Sequence, residues 1–172
     1  AESVVTACAE VSGQEVVEAV NFNDPVQTVI AGHRGAVERA IEHCKAKGAK
    51  RGLLLPVSAP FHSSLLAPAA QRLAEHLSGL AFAPAQIRLT HNADLSDAAG
   101  PDAVRAALAK QAASPVKWLQ TVQKMASEGV THIVECGPGK ALSGMCKRIA
   151  PEISVLNMNT PDSITKTLEA LQ

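Results

Sequence analysis

Aromatic residues make up only 2% of this 172-residue chain, which argues against a stacking platform for nucleic-acid bases. Net charge is also lacking. The 16 Lys and Arg residues offset 16 Asp and Glu residues, so no global field draws nucleic acid or an anionic membrane surface. No apolar run is long enough to cross a bilayer, and no signal-peptide pattern opens the chain. The 4 cysteines, Cys8, Cys44, Cys136 and Cys146, form neither a CxxC pair nor a zinc-ligand spacing. They read as small buried hydrophobes of a reducing compartment, with no metal implied and the cytoplasm as the expected location. Internal repeats and low-complexity segments are absent as well. What is present is ample apolar content, 47% of residues, sufficient for one domain or two small subdomains around a sizeable core. The first residue is Ala1 rather than methionine, which fits a fragment or a processed product.

Periodicity supplies the elements. Val4, Val5, Ala7, Cys8 and Val11 recur at helical spacing over residues 2–11, with Gly13 as a stop. Residues 15–22 and 27–31 read as strands joined by an Asn23-Asp24-Pro25 turn. Residues 35–46 place Val37, Ala40, Ile41 and Cys44 on one helical face. Residues 51–57 are apolar enough to predict a third strand, covered on both sides. The order αββαβ lacks only a leading strand to complete a ferredoxin-like βαββαβ unit. Further on, helices are predicted over residues 63–80, 102–112, 115–127, 140–149 and 163–171, and strands from residue 87 and over 131–135 and 154–158. Strands alternating with helices imply an α/β fold with a mainly parallel sheet.

Chemistry concentrates in Ala59-Pro60-Phe61-His62-Ser63-Ser64-Leu65-Leu66. A neutral imidazole between a strand and a helix is well suited to general-base work, whereas a lone histidine beside apolar residues is ordinarily a packed one. Ser58, Ser63 and Ser64 are poor partners for it, because sequence neighbours seldom face one another and none sits on a glycine-flanked elbow. Three other stretches stand in order around it: residues 20–33 with Asn21-Phe22-Asn23-Asp24-Pro25, then Ser114-Pro115-Val116-Lys117-Trp118, then Glu135-Cys136-Gly137-Pro138-Gly139-Lys140.

Together these motifs resemble the malonyl-CoA:acyl carrier protein transacylase family, over essentially the whole chain but matching only its C-terminal portion. The family's Gly-His-Ser-x-Gly nucleophile motif is absent from these residues, as are its N-terminal Gly-Gln-Gly segment and the arginine that grips the acyl carboxylate. The resemblance implies two parts. Residues 1–58 would be the remainder of a ferredoxin-like small subdomain, and residues 59–172 the C-terminal part of an α/β-hydrolase-like acyltransferase subdomain. His62 matches the catalytic base, and Gln111 matches the residue whose main-chain carbonyl orients it. Phe61, directly before the histidine, accompanies malonyl rather than methylmalonyl preference in related synthase domains.

Other sites keep two readings. Asn21 and Asn23 line an acyl or pantetheine channel, or Asn23-Asp24-Pro25 simply forms an Asx-type turn. Asn92, beside His91 at an expected strand end, stands where ligands gather in open α/β sheets. Gly137-Pro138-Gly139 before a helix is either an anion-binding turn or a structural one, and the structural reading is preferred. His33, His43, His76 and His132 read as surface or packing residues, and Trp118 as core. Lys50, Arg51, Lys147 and Arg148 resemble the family's docking residues for an acidic carrier protein.

The activity implied is ping-pong transfer of malonyl from coenzyme A to a serine outside this chain, and then to the phosphopantetheine thiol of acyl carrier protein. Malonyl-CoA is substrate and no cofactor is required. The expected partners are acyl carrier protein and the remaining N-terminal part of the enzyme, with neither nucleic acid nor a membrane. The alternative is a non-catalytic, truncated or pseudoenzyme module that binds acyl carrier protein or coenzyme A without turnover.

Overall fold

A computed structural model describes residues 1–97 and 100–172. By packing, the chain divides into two compact units, Ala1–Trp118 and Leu119–Gln172. This division falls elsewhere than the subdomain boundary drawn after residue 58.

In the first unit, helix α1 (Glu2–Ser12) packs on helix α2 (Arg34–Ala46), and both lie against a hairpin of β1 (Val17–Asp24) and β2 (Gln27–Gly32). The core is Cys8, Val17, Ala36 and Ala40, with Val4, Val11, Ile30 and Val37 around it. Alanine at both buried positions of α2 lets the helices approach closely, so a narrow apolar stripe suffices. The hairpin turn is closed by Asp24, 2% exposed, whose Oδ1 accepts the Val26 N–H at 2.9 Å, an Asx turn. At the other end, a Cβ on Gly32 would lie 2.0 Å from the Val16 carbonyl oxygen. Only glycine permits that approach. The neighbouring His33 then bonds Val16 twice: its N–H donates to the Val16 carbonyl at 2.8 Å, and its Nδ1 accepts the Val16 N–H at 2.9 Å.

Two predicted strands do not form. Residues 51–57 run without regular structure, and Leu53, Leu54, Leu55 and Val57 are more than half exposed instead of covered. A strand requires a ladder partner, and among the described residues this segment pairs with neither β1 nor β2. One edge of β1 holds β2, and the other meets Val116 at a single bridge, where Val116 N–H donates to the Val20 carbonyl at 2.8 Å and the Val116 carbonyl accepts from Phe22 N–H at 2.9 Å. The observed order is therefore αββα followed by an extended apolar segment. Likewise, the stretch from residue 87 contributes only an isolated bridge between Thr90 and Asp97.

After His62 the chain enters a 3₁₀ turn (Ser64–Leu66) and then helix α3 (Ala67–Ser78), with Pro68 in its first turn where a missing N–H costs nothing. Helix α4 (Pro101–Gln111) packs on α3, and Arg105 closes that helix by donating to the carbonyls of Leu77 at 2.9 Å and Leu80 at 3.0 Å. Helix α5 (Trp118–Ser127) starts later than the predicted residue 115, because Val116 is committed to β1.

The second unit is α/β. Strands β3 (His132–Cys136) and β4 (Ser154–Met158) pair in parallel, with helix α6 (Ala141–Ile149) crossing between them and helix α7 (Pro161–Ala170) packing on β4. Among the described residues these are the only two strands that pair in parallel, and Val116 adds one isolated parallel bridge at Asn21. The second unit's buried apolar residues are Val122, Cys146, Ala150 and Ile153. No described helix is long and apolar enough to cross a membrane.

Candidate active site

His62 sits in the left-handed region, φ 64°, at the bend between the exposed apolar segment and the 3₁₀ turn. Histidine tolerates that conformation better than most side chains, though it still costs of order 1 kcal/mol and needs surrounding structure to hold it. Its Nδ1 lies 3.0 Å from the main-chain oxygen of Gln111. A carbonyl can only accept, so Nδ1 carries a proton, and in the neutral ring Nε2 is left with a lone pair. Among the described residues nothing bonds Nε2. Gln111 is the last residue of α4, so its carbonyl belongs to the negative end of a helix, which favours positive charge developing on the ring. This arrangement suits a group that accepts a proton and must then carry it.

Three contacts set the turn. Ser63 is fully buried, and its hydroxyl donates to the Pro60 carbonyl at 2.6 Å. It faces the backbone and is not placed as a nucleophile. Glu18, on β1, accepts from the Ser64 N–H and the Ser64 hydroxyl, both at 2.7 Å. The sequence reading missed Glu18. A carboxylate 46 residues upstream of its partner leaves no local signal.

Of the expected substrate-lining residues, Asn21 and Asn92 both meet the stretch that follows α4. Residues 111–117 touch three elements in succession: Gln111 holds His62, Val116 flanks Asn21 on β1, and the Lys117 N–H donates to the Asn92 carbonyl at 3.2 Å. Asn21 pairs with Val29, while Asn23 falls in a ladder irregularity between Phe22 and Asp24, at the turn that Asp24 closes. Phe61 is 54% exposed. His91 is buried with Nε2 unpartnered, and Asn92 beside it is half-buried, in a turn and not at a strand end.

In the second unit, Gly137 and Gly139 both take positive φ, 121° and 94°, to turn β3 into α6. The first amides of that helix are already occupied. Glu135 accepts from Leu142 N–H at 3.1 Å, Ser143 N–H at 2.8 Å and the Ser143 hydroxyl at 2.5 Å. These bonds, the hydroxyl's above all, hold the Glu135 carboxyl below its usual range. An internal carboxylate fills the position a phosphate would need, so this turn is structural. Lys50 and Arg51 are exposed in the first unit, and Lys147 and Arg148 in the last turn of α6. Among the described residues no group of three or more His, Cys, Asp or Glu side chains could hold a metal ion.

Solved structures similar to this chain include malonyltransferases. An acyl-carrier-protein S-malonyltransferase from Burkholderia pseudomallei 1710b superposes with a TM-score of 0.96 at 48% identity, covering 98% of this chain and 55% of that one. A malonyl transacylase solved in complex with a type II polyketide acyl carrier protein gives a TM-score of 0.97 at 43% identity, over 99% of this chain and 55% of that one. The malonyl CoA-acyl carrier protein transacylase of Escherichia coli (strain K12) is 45% identical over 167 residues, 97% of this chain and 54% of the relative. No family model matches the chain. The chain belongs to the malonyl-CoA:acyl carrier protein transacylase family, and it spans about half the length of the curated relatives it matches.

Proposed function

We propose that this chain supplies the general base of a malonyl transferase that moves malonyl from coenzyme A to acyl carrier protein by a serine acyl-enzyme, in the cytoplasm. The observation that carries this reading is the His62 geometry: Nδ1–H held by a helix-terminal carbonyl and Nε2 left to accept a proton. A serine hydroxyl is a weak nucleophile until such a base lies within hydrogen-bond reach. On acylation, Nε2 takes the serine proton as the hydroxyl oxygen bonds the malonyl carbonyl, and it returns that proton to the departing coenzyme A thiolate. In the second half-reaction the same nitrogen deprotonates the carrier thiol and reprotonates the serine. The main-chain carbonyl of Gln111 does for the ring what a carboxylate does in other triads. Phe61, Asn21, Asn23 and Asn92 contact the acyl and pantetheine portions.

No Gly-x-Ser-x-Gly elbow occurs in these 172 residues, so the serine is supplied by sequence outside them. The test is incubation with radiolabelled malonyl-CoA, of the chain alone and of a family-length enzyme containing it. Label should appear only on the longer protein, and His62→Ala should suppress it. Stoichiometric label on a serine of the chain alone, or undiminished labelling of the His62→Ala enzyme, overturns the reading. A longer protein that binds acyl carrier protein but never labels would establish the non-catalytic alternative.

A further inference from the structure

We propose that Glu18 is a positioning residue for His62. This rests on the reading of His62 as the base. The left-handed backbone at His62 is unfavourable by itself, so something outside the turn must hold it. On one side the ring is tied to Gln111. On the other, the next two residues are fixed: Ser63 is fully buried against Pro60, and Ser64 is gripped at both its N–H and its hydroxyl by the two oxygens of Glu18. Ser64 opens the 3₁₀ turn that leads into α3. A carboxylate there both satisfies orphan donors and complements the positive end of the element. Charge-assisted bonds of this kind are about twice as strong as neutral ones.

Glu18 is also a strand residue, between Val17 and Ala19 of the buried face of β1. Its backbone is therefore rigid, and it transmits the position of the hairpin to the histidine turn. Val116 docks on the same strand, at Asn21. The stretch that carries the Gln111 carbonyl and the turn that carries His62 thus share one support, β1. Loss of the Glu18 clamp should leave the fold intact but let the His62 backbone leave its left-handed conformation, so that Nδ1 drifts from the carbonyl and the ring loses its fixed tautomer.

The measurement is long-range ¹H–¹⁵N NMR of the imidazoles in the 172-residue chain at a pH where His62 is neutral. Amide shifts of Cys8, Val17 and Ala36 serve as the fold control. The wild-type ring should show Nδ1–H and a bare Nε2. In Glu18→Ala the two ring nitrogens should move toward a common averaged shift while the control amides stay in place. Glu18→Gln, which keeps one acceptor oxygen, should lie between. Should Glu18→Ala fail to fold, Ser64→Ala, which removes only the hydroxyl bond, is read the same way and should give a smaller shift of the same sign. A wild-type tautomer that survives in each folded variant overturns the role of Glu18 and leaves the base assignment standing. A wild-type ring already lacking the Nδ1–H signature overturns both.

Discussion

The Nδ1–H of His62 donates to the Gln111 carbonyl at 3.0 Å, a contact between residues 49 apart in sequence and made wholly by main chain on the acceptor side. Because the acceptor is a carbonyl at the end of α4, the ring tautomer depends on where that helix stops and not on which side chain sits there. Ser114 N–H also reaches the same oxygen, at 3.4 Å, so the three residues after the helix help set the carbonyl's direction.

The contact predicts a contrast between two substitutions in a family-length enzyme. His62→Ala should lower the rate of acylation by a factor on the order of 10² to 10⁴, the usual loss for a positioned base, with the fold retained. Gln111→Ala should leave the rate within a few-fold. Steady-state kinetics and thermal melts on the pair decide it, and comparable losses in both would mean that the Gln111 side chain, not its carbonyl, matters.

Much of the helical architecture was legible because amphipathic spacing is local: Val4, Cys8 and Val11, or Val37 and Ala40, announce their buried faces directly. Strands proved less legible. Residues 51–57 have the composition of a covered strand, but a strand is a relation between two segments, and among the described residues no second segment pairs with this one. His62 stood out by its motif, whereas its link to Gln111 came only through family resemblance, since a main-chain acceptor leaves no mark in residue type. Glu18 was invisible for a related reason: it is a strand carboxylate that bonds a turn 46 residues on, and nothing in the neighbouring sequence announces the partner. Glu135 stood at the head of a noted motif, but its bonds to Leu142 and Ser143 are set by the turn geometry and not by residue type.

Glu135 gives a pH prediction. Its carboxyl is held below its usual range by the Ser143 hydroxyl and by two amides. A depressed folded-state value means the bonds stabilise fully above the unfolded value of roughly 4.3, and that this contribution is lost as pH falls through the lower folded value. Acidification from pH 6 to pH 3.5 should therefore reduce the protection of the Ser143 and Leu142 amides, with exchange read relative to the intrinsic rate at each pH. Ser143→Ala should cost about 1 kcal/mol at neutral pH and flatten that pH dependence. Exchange rates with the same acid slope in the variant would separate the effect from Glu135.

The exposed run Leu53, Leu54, Leu55 and Val57 predicts self-association of the 172-residue chain, because contiguous apolar surface without a cover recruits one. Substituting Leu53→Lys together with Leu55→Lys should raise the soluble, monomeric fraction measured by light scattering without lowering the melting temperature. A drop in melting temperature instead would show that these side chains pack on something in solution.

Phe61, exposed and directly before His62, should govern the choice of acyl unit if His62 is the base as proposed. Its ring would take the volume that an added methyl needs, and one methyl is worth only about 1–3 kcal/mol of discrimination. In a family-length enzyme, Phe61→Ser should raise relative kcat/KM for methylmalonyl-CoA by roughly 10-fold or more, within that energetic limit. Competition assays with the two thioesters decide it. A wild-type enzyme that already uses both equally would remove the inference.

Carrier-protein recognition gives the last prediction. An acidic carrier would be drawn by local positive potential even on a chain whose total charge is zero. Lys50 and Arg51 stand exposed at the head of the extended segment that leads to His62. Lys147 and Arg148 stand exposed in the last turn of α6, where cations also complement the helix dipole. That second role offers a plain structural explanation for them, so the experiment must separate docking from helix stability. Reversing all four charges to Glu in a family-length enzyme should slow transfer to acyl carrier protein through a lower association rate. The salt dependence of that rate should weaken too, since exposed charges act at distances that ionic strength screens. Acylation by malonyl-CoA, which uses neither pair in this scheme, should keep its rate. Reversing one pair at a time then tells whether each contributes: two additive losses confined to the carrier half-reaction support docking by both. A loss shared equally by the two half-reactions, or one accompanied by a lower melting temperature in the Lys147→Glu/Arg148→Glu variant, would assign these residues to coenzyme A contacts or to the end of α6.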